Sequence, residues 1–114
     1  MSSAKPHKDA YTESEFHKVV AQYLGDDNPI SGGLGFDTKH PIIINESDPA
    51  KAAFWEDVVI KIIAKMQKDE YTLLGTAIIS ENDRMLARHR VTWSQSKDNV
   101  VDYYFDVNAA FAED

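Results

Sequence analysis

The segment that decides the fold spans residues 71–107 and reads YTLLGTAIISENDRMLARHRVTWSQSKDNVVDYYFDV. Three stretches of it, 71–79, 85–93 and 100–107, alternate apolar and polar residues and are rich in β-branched and aromatic side chains. A period of two residues is typical of strands, and the polar runs between the stretches are typical of turns. The segment therefore predicts three consecutive antiparallel strands.

The face of the middle strand that would be buried carries one polar side chain, His89. In the middle strand His89 shares its face with Val91 and Trp93, because successive residues of a strand point to opposite sides. Pairing the strands by their turns places His89 near Phe105 and close to Gly75, whose missing side chain would leave space. A histidine in this position is either a hydrogen-bonded core residue or part of a pocket.

The opposite face of the last two strands carries alternating charges. The same pairing predicts Arg88 opposite Asp106, and Arg90 beside Asp102 and Tyr104. Exposed ion pairs contribute only about 0–1 kcal/mol each, so one interpretation is a solvated face. Arginine and tyrosine are also enriched at protein interfaces, which makes Arg88, Arg90 and Tyr104 candidate partner-binding residues.

Two helices and a short strand precede this segment. Asp48 and Pro49 are typical of a helix N-cap and first helical residue, and apolar residues recur at helical spacing as far as residue 66. The sequence PIIIN at 41–45 predicts a strand, and a capping box at 12–15 predicts a helix over 13–24. The glycine-rich segment 25–40 between them predicts a long loop, either functional or only a connector.

These elements predict an α+β fold in two layers. A curved, mainly antiparallel sheet of about four strands is packed by one long helix, with an additional N-terminal helix, in the order α-β-α-β-β-β. Residues 1–11 are expected to form a disordered arm and residues 12–114 a single domain. This outline is similar to cystatin-like and nuclear-transport-factor-like architectures, and the sequence contains no motif of either.

Composition narrows the classes of partner. The chain has 114 residues, with 19 acidic and 12 basic side chains and a net charge of −7, which disfavours nucleic acid and anionic lipid. We therefore expect a basic or neutral protein partner. The absence of cysteine excludes disulfides and fits a cytoplasmic protein. No apolar run approaches the roughly 20 residues that span a bilayer, so no membrane association is expected.

No motif predicts a cofactor, a metal site or catalysis. The four histidines have no ligand spacing of the HxH or HExxH kind. The glycines at 32–35 precede a predicted strand, whereas a phosphate-binding loop follows a strand and opens a helix. Enzymatic activity is thus less expected than binding.

The sequence favours a small acidic binding protein that masks or inhibits a basic partner, as an inhibitor or immunity protein does. Acidic side chains near the loop would steer association with a basic surface. They are Asp26, Asp27, Asp37, Glu46 and Asp48.

Two alternatives remain open. The first is a ligand-binding or enzymatic pocket between the main helix and the sheet, in which Glu56 or Asp57 would make His89 a general base. Its lining residues would be Trp55, Val59, Gly75, His89, Tyr103 and Phe105. The second is a homodimer formed through a sheet face that includes Leu74, Ile78 and Tyr104. The chain is accordingly expected to be a monomer or a homodimer.

Overall fold

A computed structural model describes residues 11–111 of the chain, without the side chains of residues 96–98. The elements are α1 (Glu13–Leu24), β1 (Ile30–Gly32), β2 (Ile42–Ile44), α2 (Pro49–Gln67), β3 (Tyr71–Glu81), β4 (Arg84–Trp93), β5 (Ser96–Asp106) and α3 (Asn108–Phe111). The predicted α+β class, the two helices and the three consecutive strands are confirmed. Apart from Tyr11, the predicted disordered arm lies outside the described residues.

The start of α1 is fixed by side chains around Thr12. The Thr12 hydroxyl accepts a hydrogen bond from the backbone N–H of Glu15 (3.1 Å), and the Glu15 carboxylate accepts one from the backbone N–H of Thr12 (2.7 Å). This is the predicted capping box. Tyr11 stacks on Phe16 with ring centroids 6.2 Å apart, which sets the direction in which the chain enters the helix.

The sheet has five strands rather than about four, in the order β1-β2-β5-β4-β3. The additional strand, β1, comes from the predicted loop 25–40 and pairs antiparallel with β2. Because β2 runs parallel to β5, with Ile42 beside Phe105, the sheet is mixed. Three residues ending in glycine are too few to show a two-residue period, so the sequence does not reveal β1.

The longest helix, α2, begins at the predicted cap. The Asp48 carboxylate accepts a hydrogen bond from the backbone N–H of Ala50 (2.9 Å), and Pro49 occupies the first helical position. The helix ends at Lys68, which has the left-handed conformation (φ 53°, ψ 46°) typical of a helix C-terminus. No helix among residues 11–111 is long and apolar enough to cross a membrane.

The core lies between the two long helices and one face of the sheet. Its largest fully buried side chains are Trp93, Tyr103, Phe16, Phe105, Ile42, Ile44, Ile60 and Ile63. Each large apolar side chain buried in this way contributes about 1.5–3 kcal/mol. At the edge of the sheet β3 is less covered, and its Leu73, Leu74 and Ile78 are 48%, 52% and 54% exposed.

The predicted pairing of Arg88 with Asp106 was wrong by two residues, whereas Arg90 lies beside Asp102 as predicted. Arg88 lies opposite Tyr104, and Asp106 lies opposite Leu86 rather than Arg88. The turn between β4 and β5 takes two residues, 94 and 95, and beyond it the partner changes from Val100 for Thr92 to Ser96 for Trp93. The turn is therefore tighter than the polar run 94–99 suggested.

The connection from β1 to β2 leaves no room for side chains at two glycines. Gly32 has a φ of +87°, and a Cβ there would lie 2.6 Å from the Pro41 carbonyl oxygen. At Gly33 a Cβ would lie 2.5 Å from the His40 carbonyl oxygen. Both contacts are with backbone, which cannot move aside as a side chain would.

Gly33→Ala is therefore expected to lower the free energy of unfolding by about 2 kcal/mol, because the hairpin must distort to admit the methyl group. Gly75→Ala is the matched control, since a Cβ at Gly75 meets nothing within 4 Å. Urea denaturation of the two variants and the wild type measures the difference. Equal midpoints for all three proteins would contradict the prediction.

Candidate functional site

Four of the five predicted acidic residues lie at one end of the β1–β2 hairpin. Asp26 and Asp27 follow α1, whereas Glu46 and Asp48 follow β2. The backbone N–H of Asn45 donates a hydrogen bond of 2.9 Å to the Pro29 carbonyl, just beyond the last pair of the hairpin. This bond brings the two segments side by side, and the four residues are termed the acidic turns.

The charges of the acidic turns are not compensated by the rest of the described chain. Asp26 and Asp27 are exposed, and neither makes a side-chain hydrogen bond or ion pair with a residue of 11–95 or 99–111. None of the four carboxylates pairs with a lysine or arginine whose side chain the structure describes. From residue 19 to residue 50 the sequence has one such base, Lys39, in the loop at the other end of the hairpin.

The second acidic turn, which contains Glu46 and Asp48, is held by hydrogen bonds and adjoins an aromatic pair. Glu46 accepts hydrogen bonds from the Trp55 indole (3.4 Å) and from the backbone N–H of Asp48 (3.2 Å). Trp55 packs edge-on against Phe54, with ring centroids 5.4 Å apart. Phe54 is 59% exposed, so a large apolar side chain stands beside fixed negative charges.

The fifth acid, Asp37, lies at the opposite end of the hairpin, in the β1–β2 connection. Its carboxylate accepts hydrogen bonds from the His40 ring (3.0 Å) and from the backbone N–H groups of Lys39 (2.9 Å) and His40 (2.8 Å). Slight desolvation acts to raise the pKa of Asp37, but these hydrogen bonds hold that pKa below its ordinary value. Asp37 thus shapes its own loop and is not grouped with the acidic turns.

The predicted partner-binding residues of the outer sheet face lie together, and one of them already binds a neighbouring side chain. Arg90 donates two hydrogen bonds to Asp102, from Nε (2.8 Å) and Nη2 (3.0 Å). Arg88 and Tyr104 are opposite one another, and both are half-buried. Arg84 donates to the Thr38 carbonyl, so the β1–β2 connection is tied to an arginine of β4. This face is separate from the acidic turns.

The six residues of the alternative pocket do not share one cavity. Val59, Tyr103 and Phe105 are fully buried in the core, and Trp55 contacts the second acidic turn. Gly75 lies opposite Arg90, because the register of β3 shifts between Leu73 and Gly75 and leaves Thr76 opposite His89. The prediction that Gly75 would leave space beside His89 is therefore corrected.

His89 lines an open groove of about 370 Å³ between α2 and strands β3 and β4. Its Nε2 lies 2.6 Å from the Glu56 Oε1, and each of these side chains is 11% exposed. The predicted contact with Phe105 is present, with ring centroids 5.1 Å apart. A carboxylate in this position orients an imidazole for proton transfer, and it equally satisfies a buried polar side chain.

Sequence reasoning missed a group of polar atoms inside the core. The hydroxyls of Tyr11 and Tyr103 are buried next to the Gln67 side chain, and the Trp93 side chain also adjoins the Tyr103 hydroxyl. Burial raises the pKa of each phenol well above its ordinary value. The alternating pattern of β5 shows that Tyr103 is internal, but nothing in the N-terminal segment indicates that Tyr11 reaches it.

No three His, Asp or Glu side chains within residues 11–111 are arranged to hold a metal ion. Comparison of the chain with protein-family models, with curated proteins and with solved structures gives no match. The acidic turns, the outer sheet face and the groove are thus the features that bear on function.

Proposed function

We propose that this protein is an acidic binding protein that masks a basic protein partner, in the manner of an inhibitor or an immunity protein. The observation that supports the proposal is the pair of acidic turns. They hold four carboxylates at one end of a hairpin, and no lysine or arginine whose side chain the structure describes pairs with any of them. Two of these carboxylates are fixed in place, one by Trp55 and one by the start of α2.

Charges in this arrangement act together on an approaching protein. At 0.1 M salt the electrostatic screening length is about 10 Å, so carboxylates on adjoining turns add their potentials at the surface. Complementary potentials raise association rates from about 10⁵–10⁶ M⁻¹s⁻¹ towards 10⁸ M⁻¹s⁻¹ or more at low salt. The partner would present a cationic surface, such as a cleft that binds an anionic substrate.

The aromatic pair beside the second turn would supply the short-range contact. Interfaces usually derive most of their binding energy from a few aromatic or arginine side chains, with polar residues around them. Phe54 is exposed and rests against Trp55, which in turn holds Glu46. Charge would thus accelerate encounter, and Phe54 would slow dissociation.

The test begins with immobilised protein and a lysate of the native host, washed first at low and then at high salt. We expect a basic protein to be retained at low salt and released at high salt. The purified partner should form a 1:1 complex, lose its own activity in that complex, and associate more slowly as ionic strength rises.

In that purified system, Asp26→Asn combined with Asp27→Asn is expected to reduce the association rate constant roughly tenfold at low salt, because two steering charges are lost. The control is Glu70→Gln combined with Asp83→Asn, which removes the same charge from two exposed sites outside the acidic turns. Stopped-flow or surface-based kinetics measures both variants. An association rate that does not depend on salt, or equal losses in the two variants, would contradict the proposal.

A second candidate function is favoured by the Glu56–His89 contact. A ligand with one polar group and a small apolar body would fit the groove, whose walls include Ala53, Ile78 and Phe111. A thermal-shift screen of small molecules would then find compounds that stabilise the wild type and not His89→Leu. Compounds that stabilise both proteins equally would not support this function.

A further inference from the structure

No strand of the described residues pairs with the outer edge of β3. In the sheet order β1-β2-β5-β4-β3 this strand comes last, and its only neighbour among the described residues is β4. It is 11 residues long, whereas the strand at the other edge, β1, has three. A row of free backbone N–H and C=O groups of this length is a template on which another strand can pair.

The side chains of β3 do not protect this edge. Residues 71–80 include no Asp, Glu, Lys or Arg, although such charges, and prolines, usually block edge strands of monomeric proteins. One irregularity, between Leu73 and Gly75, leaves the remainder of the strand regular. Leu74 and Ile78 are each more than half exposed at this edge.

The charge pattern indicates what can cover the edge. A basic partner would be attracted to carboxylates, and residues 71–80 of β3 contain none. Two copies of a chain with net charge −7 repel one another over most surfaces, and they approach with least repulsion where both are uncharged. The edge of β3 is such a surface on each copy.

We propose that β3 pairs antiparallel with β3 of a second copy, so that the two five-stranded sheets become continuous in a symmetric homodimer. With the two-fold axis between Thr76 and Ile78, Glu81 of each copy lies opposite a residue between 71 and 75 of the other, and all of those are uncharged. The exposed side chains of Leu74 and Ile78 then lie along the new seam. Pairing occurs through the edge, in place of the sheet face that the sequence leaves open as an alternative.

The homodimer is independent of the masking function. The acidic turns belong to the β1–β2 side of the sheet, at the opposite edge from β3. A dimer joined through β3 leaves both sets of acidic turns free. It would therefore hold two partner molecules at its two ends, one for each chain, which keeps the 1:1 ratio of the two proteins.

The experiment is sedimentation velocity of the whole chain over a concentration series, with circular dichroism as the check of folding. We expect the wild type to have twice the mass of the chain. Ile78→Lys should raise the dimer dissociation constant roughly 100-fold or more, because the substitution places a like charge on the seam from both copies. Leu74→Lys provides a second variant at the same edge.

The matched control is Tyr23→Lys, since Tyr23 is as exposed as Ile78 (55% against 54%) but lies on α1. This variant should dimerise like the wild type. A wild type that remains monomeric at the highest concentration overturns the proposal, as does a folded Ile78→Lys variant that dimerises as tightly as Tyr23→Lys.

Discussion

Raising the pH above about 10 is expected to unfold this protein, with the buried phenols of Tyr11 and Tyr103 as the main cause. In the folded state, burial raises the pKa of both groups well above the ordinary tyrosine value of 10.0. In the unfolded chain both ionise near that value. Above pH 10 the unfolded state therefore releases two protons that the folded state retains.

The sign and size of the effect follow from linkage. Below pH 10 neither phenol makes the free energy of unfolding depend on pH. Above pH 10 each phenol lowers that free energy by about 1.4 kcal/mol per pH unit. Together they give about 2.7 kcal/mol per pH unit. A domain with a stability of about 5 kcal/mol, near the lower end for small proteins, would reach its unfolding midpoint near pH 12.

The measurement is denaturant unfolding at pH 9, 10 and 11, with tyrosinate absorbance recorded in parallel. Tyr11→Phe and Tyr103→Phe should each halve the slope of stability against pH. Tyr23→Phe serves as the control, because the Tyr23 side chain is 55% exposed. The prediction is contradicted if all five tyrosines ionise near pH 10 while the circular dichroism spectrum stays native.

The second large effect is expected at the contact between His89 and Glu56. His89→Leu should lower the free energy of unfolding by about 3 kcal/mol, since the Glu56 carboxylate would lose its partner while only 11% exposed. Glu56→Leu combined with His89→Leu should recover most of that loss, because two apolar side chains can replace a buried polar pair. Urea denaturation of the single and double variants measures the coupling between the two residues.

An exposed ion pair on the same helix provides the comparison. Lys61 Nζ lies 3.0 Å from Asp57 Oδ2, with the two side chains 63% and 55% exposed. Lys61→Leu should leave stability almost unchanged, since solvent screens such pairs. The prediction is wrong if His89→Leu leaves stability as little changed as Lys61→Leu does. It is also wrong if the double variant is less stable than either single variant.

How far the sequence predicts this fold depends on the length of each element. Helix α1 and helix α2 have caps and enough turns to show a helical period, and both were predicted with their N-termini correct. Strands β3, β4 and β5 are long enough to show alternation. Two features were not predicted correctly. Strand β1 was missed because its three residues show no period, and the pairing of β4 with β5 was shifted because an irregularity changes the register there.

The candidate site was predictable only in part. The net charge and the number of acidic residues indicated an acidic surface. The hydrogen bond between Asn45 and Pro29 brings the acidic turns together and leaves Asp37 at the other end of the hairpin. No local sequence pattern predicts that bond. The period of β4 predicted that His89 points inward, and the sequence offered Glu56 or Asp57 as its acidic neighbour. The structure has Glu56 in that contact, although the helical pattern had placed Glu56 on the polar face of α2. The burial of the Tyr11 phenol beside Tyr103 was not foreseen, since tertiary packing alone brings Tyr11 there.

The way β2 joins the sheet has a consequence for folding. Strands β3, β4 and β5 follow one another through short turns, whereas β2 meets β5 at two paired positions, Ile42 with Phe105 and Ile43 with Asp106, from distant parts of the chain. Contacts between distant segments form late because a long loop must close first. We expect the β1–β2 hairpin to dock last and to open first in the native ensemble. Such an opening would expose Ile42 and Ile44, which are buried in the core, and a partner bound at the acidic turns would suppress it.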